Sequence, residues 1–175
     1  MTNLPEHTPL NTFTCSGKLR ATDPCYDKRV WCTIVLDVLP GTYRATCLRR
    51  PFHDWGNRVW ELAVVHEGFA PSDLTWEAAE GEAGVDSGQC GFYDDAQYPD
   101  DPGDYGEDGF YDRVCEDTLR GDAARRAYGV FTSSGLGDGG YTVMFGKNAD
   151  GIIAGALLVF LNDDDRGGME PFFKP

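Results

Sequence analysis

Residues that could bind a ligand are concentrated in a short glycine-rich stretch, residues 134–141. Four of the six residues at positions 135–140 are glycine, and Asp138 stands among them. Glycine tolerates backbone angles that other residues resist and leaves its amide unshielded, so the stretch could form an anion-binding nest. Alternatively, Asp138 could hold a metal ion or a ligand hydroxyl, or it could accept amide hydrogen bonds that fix a turn. The sequence leaves these alternatives open.

The same stretch contains Gly135-x-Gly137-x-x-Gly140, which formally matches a dinucleotide-binding fingerprint. That fingerprint requires a helix after the glycines, so that the helix N-terminus faces the pyrophosphate. Residues 141–146 have the composition of a strand instead. A kinase-type glycine loop does lie between two strands, but the lysine, catalytic-loop and D-F-G signatures are missing. Both nucleotide-binding interpretations are therefore rejected.

Two further polar clusters lie at residues 23–26 and residues 86–89. Each alone is typical of a turn. Polar groups at 86–89 interrupt a strand-like stretch, however, and would be costly there unless they are satisfied or functional. The three clusters together supply the candidate ligand-binding residues, which are Asp23, Tyr26, Asp86, Ser87, Gln89, Ser134, Gly135, Gly137, Asp138 and Tyr141.

Residues 94–117 form the most acidic part of the chain, with ten carboxylates and a single basic residue, Arg113. The EF-hand ligand spacing is not met in this stretch. Carboxylates on a loop could still bind Ca²⁺ or Mg²⁺ weakly, and the alternative is a solvated acidic loop. We predict no other cofactor and assign no metal ligands.

Groups suited to catalysis are few. No G-x-S-x-G or H-E-x-x-H motif occurs, and a dyad of Cys25 with His53 has no local support. Asp86 and Asp138 could act as paired carboxylates if the fold brought them together. The six cysteines form no C-x-x-C pair and are interpreted as small buried hydrophobes. We therefore assign no catalytic residue and expect a protein that is not an enzyme.

The overall charge restricts the classes of partner. The 175 residues carry a formal net charge of −14, which argues against direct nucleic-acid binding and fits basic, cationic or metal partners or the imitation of nucleic acid. The alternative is a solvated acidic surface that aids solubility. Residues 1–10 lack the apolar core of a signal peptide, and the longest apolar run, 152–160, is too short to span a bilayer. These features predict a cytoplasmic protein without membrane contact.

The elements that position these residues are mainly strands. Strands are predicted at residues 13–22, 31–38, 42–48, 58–66, 84–93, 126–132, 141–146 and 152–160. Segments 31–38 and 42–48 are expected to form a hairpin, as are the last two strands around the turn at 148–151. Segment 58–66 is apolar on both faces, which predicts a central strand.

One amphipathic helix is predicted near residues 107–120, because apolar residues there recur at helical spacing and Gly121 can end it. The fold class is therefore mainly β (α+β), an antiparallel twisted sandwich or half-open barrel with that one helix. We expect one domain at 13–161, between a flexible tail at 1–12 and a second tail at 162–175 that could dock through Phe172 and Phe173.

Several motifs resemble those of a bacterial family. The motif S-G-x-G-D-G-x-Y at 134–141, with a following Asp-Gly turn and an apolar strand, resembles the C-terminal signature of domain-of-unknown-function family four-two-four-one. V-D-S-G-Q at 85–89 and S-G-K-L at 16–19 resemble two of its other segments. The resemblance implies a mostly β domain without established activity, in the setting of phage–bacteria or toxin–immunity conflict. It also implies that the three clusters meet in space.

These features favour a non-enzymatic binding protein whose ligand or partner is bound at a pocket of glycines and acids. The ligand could be a small polar molecule, a nucleotide or the basic segment of a partner. One alternative is an acidic decoy that imitates nucleic acid and blocks a basic partner through residues 94–117. Another is a metal-dependent hydrolase that uses the same carboxylates.

Overall fold

The computed structural model describes residues 6–162, which form two antiparallel β-sheets packed face to face, with one helix in this range. Of the predicted tail at 162–175, residues 163–175 lie outside the described residues. The β-rich α+β class is confirmed, and the sheets form a sandwich rather than a closed barrel. The strands are β1 (Glu6–Cys15), β2 (Lys18–Thr22), β3 (Ile34–Asp37), β4 (Gly41–Pro51), β5 (Asn57–His66), β6 (Thr75–Val85), β7 (Gln89–Asp94), β8 (Ala123–Arg126), β9 (Gly129–Ser133), β10 (Gly139–Lys147) and β11 (Ile153–Val159).

One sheet has six strands in the order β1-β4-β5-β11-β10-β6, and the other has five in the order β3-β2-β7-β9-β8. β5 lies between β4 and β11, as its two apolar faces predicted. The hairpin of β10 and β11 is also confirmed. Short 3₁₀ turns, His53–Trp55 and Pro71–Asp73, flank β5.

Two predicted strands, 13–22 and 84–93, pass from one sheet to the other, which the sequence did not reveal. The predicted strand 13–22 is two strands, because Gly17 has a φ of 127° and breaks the chain between β1 and β2. β1 also begins at Glu6, within the stretch predicted as a tail. The predicted hairpin of 31–38 with 42–48 is wrong, since β3 pairs with β2 whereas β4 pairs with β1 and β5.

The predicted strands 84–93 and 126–132 are also divided. The first contains the end of β6, a turn at residues 86–88 and β7, and these two strands lie in different sheets. The second begins at Arg126, the last residue of β8, and continues through a turn into β9, which pairs with β8 as a hairpin. A strand has the same alternation of apolar and polar residues whichever sheet it belongs to. The periodicity of the sequence therefore cannot show where the chain passes from one sheet to the other.

The main core lies between the inner faces of the two sheets and includes Leu19, Leu62, Phe92 and Leu158. β7 and β9 approach each other closely at Gly91. A Cβ atom at that position would lie 2.5 Å from the carbonyl oxygen of Val130. This explains the glycine within a strand.

The predicted helix is present as α1 (Phe110–Gly121), and it covers the outer face of the five-stranded sheet. Phe110 and Val114 pack there against Tyr93, Tyr98 and Phe131. Asp122 caps the C-terminus of the helix: it adopts the left-handed conformation and donates its amide hydrogen to the carbonyl oxygen of Thr118. Within residues 6–162, no helix has the length and apolar character needed to cross a membrane.

Candidate functional site

The three predicted clusters meet at one end of the sandwich. Asp23 follows β2, residues 86–88 connect β6 to β7, and residues 134–138 connect β9 to β10. Thr22 pairs with Gly91 of β7, and Gln89 at the start of β7 pairs with Ser133 at the end of β9. Register therefore brings the end of β2 and both connections between the sheets together.

Asp23 joins two of the clusters through a buried carboxylate. Its Oδ2 atom accepts hydrogen bonds from the backbone amides of Asp86 and Ser87, each at 2.8 Å. Its Oδ1 atom accepts from the amide of Cys25 at 2.8 Å and from the hydroxyl of Ser87 at 2.7 Å. With four donors the carboxylate is satisfied, so Asp23 and Ser87 build the site rather than face a ligand.

The glycine loop is also held from within. Ser134 donates its amide hydrogen to the carbonyl oxygen of Gly88 at 3.0 Å and its hydroxyl hydrogen to that of Gly137 at 2.8 Å. The Tyr141 hydroxyl lies 2.6 Å from the same Gly137 oxygen. Gly135 has a φ of 56°, and a Cβ atom there would lie 3.0 Å from Cβ of Phe160. The loop is therefore a packed connection.

Gln89 binds the helix rather than an open site. Its side-chain nitrogen lies 3.2 Å from Sγ of Cys115, and its oxygen accepts a hydrogen bond from the Thr118 hydroxyl. Of the ten candidate residues, Tyr26, Asp86 and Asp138 line the same open cleft. Asp86 and Asp138 therefore both line one cleft.

This cleft has a volume of about 870 Å³ and lies between the β2–β3 loop (residues 23–33) and the edge formed by β6 and β10. Its other lining residues include three that the sequence analysis missed, Trp31, Cys32 and Glu82. Trp31 was placed in a predicted strand, yet it lies in the β2–β3 loop, where the residue is 92% exposed. The charged run just before it, Asp27-Lys28-Arg29, was the one available signal that Trp31 belongs to a loop.

Gly84 allows the β2–β3 loop to lie directly on β6. Its amide donates to the carbonyl oxygen of Cys32 at 2.8 Å, and a Cβ atom at Gly84 would lie 2.5 Å from Sγ of Cys32. At the other end of the loop, the Tyr98 hydroxyl donates to the carbonyl oxygen of Tyr26 at 2.6 Å. The loop that carries Trp31 is therefore fixed on both sides.

The cleft is acidic. Glu82, Asp86 and Asp138 line it, whereas its lining contains no Lys, Arg or His among the described residues. Burial, followed by the nearby Asp86 carboxylate, raises the pKa of the Tyr26 phenol above its ordinary value. Such a lining repels anions and favours cations, which argues against the nucleotide and anion-nest interpretations.

The acidic run continues beside this cleft. A smaller pocket of about 210 Å³ is lined by Cys25 and Asp27 from the β2–β3 loop and by Asp101, Asp104 and Glu107 from the acidic run. Some carboxylates of the run are structural, since Asp95 pairs with Arg20 at 2.7 Å. Within residues 6–162, no three His, Cys, Asp or Glu side chains are grouped so that they could hold a metal ion.

The cysteines and histidines form no evident catalytic group. All six cysteines are free, and four are buried. Burial, followed by the nearby Asp23 carboxylate, raises the pKa of the Cys25 thiol, which disfavours the nucleophilic thiolate. His53, its suggested partner, instead packs against Phe52 with ring centroids 4.8 Å apart.

The fold and the cleft define an antiparallel β-sandwich with an acidic, aromatic-rimmed recess. Comparison with known proteins adds no relative, because no protein-family model, curated sequence or solved structure matches the chain.

Proposed function

We propose that this chain is a non-enzymatic binding protein whose cleft takes a basic segment of a partner protein. The observation that carries the proposal is the combination of three carboxylates and an exposed tryptophan around one recess. Glu82, Asp86 and Asp138 supply negative charge, and Trp31 supplies an open aromatic face. An arginine or lysine side chain complements both, through ion pairing and through a cation–π contact.

The acidic run extends this surface beyond the cleft. Tyr26 lines the cleft, and its neighbours Cys25 and Asp27 line the smaller acidic pocket. The exposed carboxylates of the run follow on from there and are Asp100, Asp101, Asp104, Glu107, Asp108 and Glu116. A basic segment could thus place one cationic side chain in the cleft and others along the acidic run, which favours a polypeptide over a small molecule.

The family resemblance suggests a setting for such binding, the neutralisation of a basic protein in phage–bacteria or toxin–immunity conflict. The second candidate function, an acidic decoy that imitates nucleic acid, is favoured by the same exposed carboxylates. It differs in needing neither Trp31 nor the cleft. A metal-dependent hydrolase is a third candidate, and residues 6–162 present no preformed set of metal ligands for it.

The test is isothermal titration calorimetry, in which acetylated tetra-arginine amide is titrated into the purified protein. We expect Trp31→Ala and Asp138→Ala each to weaken the affinity by about tenfold. Trp31→Ala removes a partly desolvated cation–π contact, which contributes up to about 2 kcal/mol, and Asp138→Ala removes a charge-assisted hydrogen bond of about 1.5–3 kcal/mol. Both residues are exposed, so neither change should lower the melting temperature.

The chain provides matched controls. Trp55 is exposed in the turn between β4 and β5, and Asp150 is exposed in the hairpin turn between β10 and β11. Trp55→Ala and Asp150→Ala should leave the affinity within about twofold, although they remove the same chemical groups. Equal losses in cleft and control variants, or no binding of the peptide, would reject the cleft. Binding that survives Trp31→Ala but fails when Asp101, Asp104 and Glu107 become Asn or Gln would support the decoy.

A further inference from the structure

The side of β6 that faces away from β10, called here the free edge of β6, adjoins the acidic cleft. The edge strands of the two sheets are β1 and β6 in one and β3 and β8 in the other. β3 and β8 have four residues each, and β1 contains Pro9 and a shift in register directly after it. β6 has eleven residues and no proline. Of these four edge strands, β6 is therefore the one best suited to pair with a further strand.

One hydrogen bond fixes the direction of the backbone groups in β6. The amide of Gly84 points away from β10, because it donates to the carbonyl oxygen of Cys32 in the β2–β3 loop at 2.8 Å. Gly84 lies opposite Gly140 of β10, and backbone groups alternate in direction along an antiparallel strand. Glu82, which lies opposite Thr142, therefore also directs its N–H and C=O groups to the free edge.

The alternation continues beyond a bulge in β6. Residues 79–81 lie opposite the single residue Val143 of β10. Beyond them, Ala78 and Trp76 are the next partners of alternate β10 residues, so they too direct their backbone groups to the free edge. Within residues 6–162, β6 pairs with no strand except β10. An added strand could span the bulge as β10 does.

The glutamates of β6 determine which charge an added strand can carry. Glu80 and Glu82 are exposed, and within residues 6–162 neither forms an ion pair, whereas Glu77 does. Glu82 lies over Gly140 in the cleft, since a Cβ atom at Gly140 would collide with the Glu82 carboxylate. A second copy of β6 laid along this edge would bring like charges together, so the glutamates disfavour self-association. A basic strand would be attracted by the same charges.

We propose that the basic segment of the partner binds as an added antiparallel strand along the free edge of β6, with arginine or lysine at alternate positions facing Glu82 and the cleft. The inference rests on the proposed function and specifies how the partner is held. The direction is taken from the two sheets, in which all strand pairs of the described residues are antiparallel. In strand addition, backbone hydrogen bonds provide affinity and alternate side chains provide specificity.

This mode of binding predicts which amides of the partner are needed. Residues directly opposite each other in an antiparallel pair place their side chains on the same face of the sheet. The partner residue opposite Glu82 would therefore face the same side as Glu82, and it would also exchange hydrogen bonds with the Glu82 backbone. The basic residues should thus need their own N–H groups, whereas the N–H groups of the residues between them point to solvent.

The test is isothermal titration calorimetry with acetylated Arg-Thr-Arg-Thr-Arg-Thr amide and two isomers of this peptide. One isomer is methylated at the backbone nitrogens of its arginines and the other at those of its threonines, so both have the same composition and charge. We expect the arginine-methylated isomer to bind at least about tenfold more weakly than the parent peptide, because several backbone hydrogen bonds are lost. The threonine-methylated isomer should bind within about twofold of the parent.

Ala78→Pro tests the edge from the side of the protein. Proline has no N–H group, but the N–H of Ala78 points away from β10, so the pairing of β6 with β10 and the melting temperature should be retained. The parent peptide should bind at least about fivefold more weakly, since one backbone hydrogen bond is lost. Ala78→Gly is the matched control, because it keeps the N–H group and should bind the peptide as the wild type does.

Equal affinities of the two methylated isomers would overturn the inference, whether both bind like the parent or both lose binding. The proposed function would still stand in that case if Trp31→Ala weakened the binding of tetra-arginine amide. Failure of both the parent peptide and tetra-arginine amide to bind would reject the proposed function together with the inference. The peptide isomers need only the wild-type protein, so this test holds even if Ala78→Pro does not fold.

Discussion

The buried carboxylate of Asp23 should be a main determinant of stability at the end of the sandwich that carries the cleft. Asp23→Ala removes the acceptor for three backbone amides, those of Cys25, Asp86 and Ser87. A buried or partly buried donor left without an acceptor costs about 1–3 kcal/mol, and the freed Ser87 hydroxyl can rotate toward another acceptor. Taking about 1 kcal/mol for each amide, we expect a loss of about 3 kcal/mol from a total of about 5–15 kcal/mol.

The assay is urea denaturation followed by tryptophan fluorescence. Asp23→Asn retains one oxygen acceptor and should fall between wild type and Asp23→Ala. Asp138→Ala, an exposed carboxylate in the neighbouring connection, should change the free energy of unfolding by less than about 0.5 kcal/mol. A loss below about 1 kcal/mol for Asp23→Ala would show that water or local rearrangement satisfies the amides. Asp23 would then not be a main determinant of stability at this end of the sandwich.

Two further predictions concern the five-stranded sheet. Gly91→Ala should lower the free energy of unfolding by about 2 kcal/mol in urea denaturation, since the new Cβ atom would lie 2.6 Å from Cβ of Phe131. Gly121→Ala is the control: its Cβ atom would meet open space, so this change should be neutral or slightly stabilising. Burial opposes ionisation of Asp94, but hydrogen bonds from Ser16 and Gln97 hold its pKa below the ordinary value. Its ionised form therefore stabilises the fold above the unfolded-state pKa of about 3.9, and this contribution is lost as the pH falls through the lower folded-state value. The stability gap between wild type and Asp94→Asn should accordingly be full at pH 6 and shrink below pH 4; a gap that is independent of pH would contradict this account.

The sequence predicted the elements whose signals are local. β5 is apolar on two faces over ten residues, and α1 has apolar residues at helical spacing, so both were identified close to their observed bounds. The changes of sheet at Gly17 and at residues 86–88 were missed. A glycine or polar residue inside an alternating pattern fits a bulge as well as a crossing between sheets, and only the partners of each strand distinguish the two.

The candidate site was predicted in the same partial way. Polar residues beside strand ends identified three connections that strand register brings together. Their sequence could not show which side chains turn inward. Asp23 and Ser134 are buried and bonded to backbone, whereas Asp86 and Asp138 are exposed. Trp31 was missed because its strand-like composition concealed a position in a loop.

The division between buried and exposed acids explains how an acidic cleft can exist on a stable fold. Like charges gathered at one end of the sandwich repel one another, which disfavours the compact state. Asp23 offsets that cost because its charge is balanced by four hydrogen-bond donors rather than by a basic side chain. The connection at 86–88 is thereby fixed without a basic side chain. Asp86 faces the cleft, and no basic residue of the cleft lining balances its charge. If a basic side chain held the connection at 86–88 instead of the Asp23 hydrogen bonds, its positive charge would neutralise the negative charge of the cleft, which is proposed to attract a basic partner.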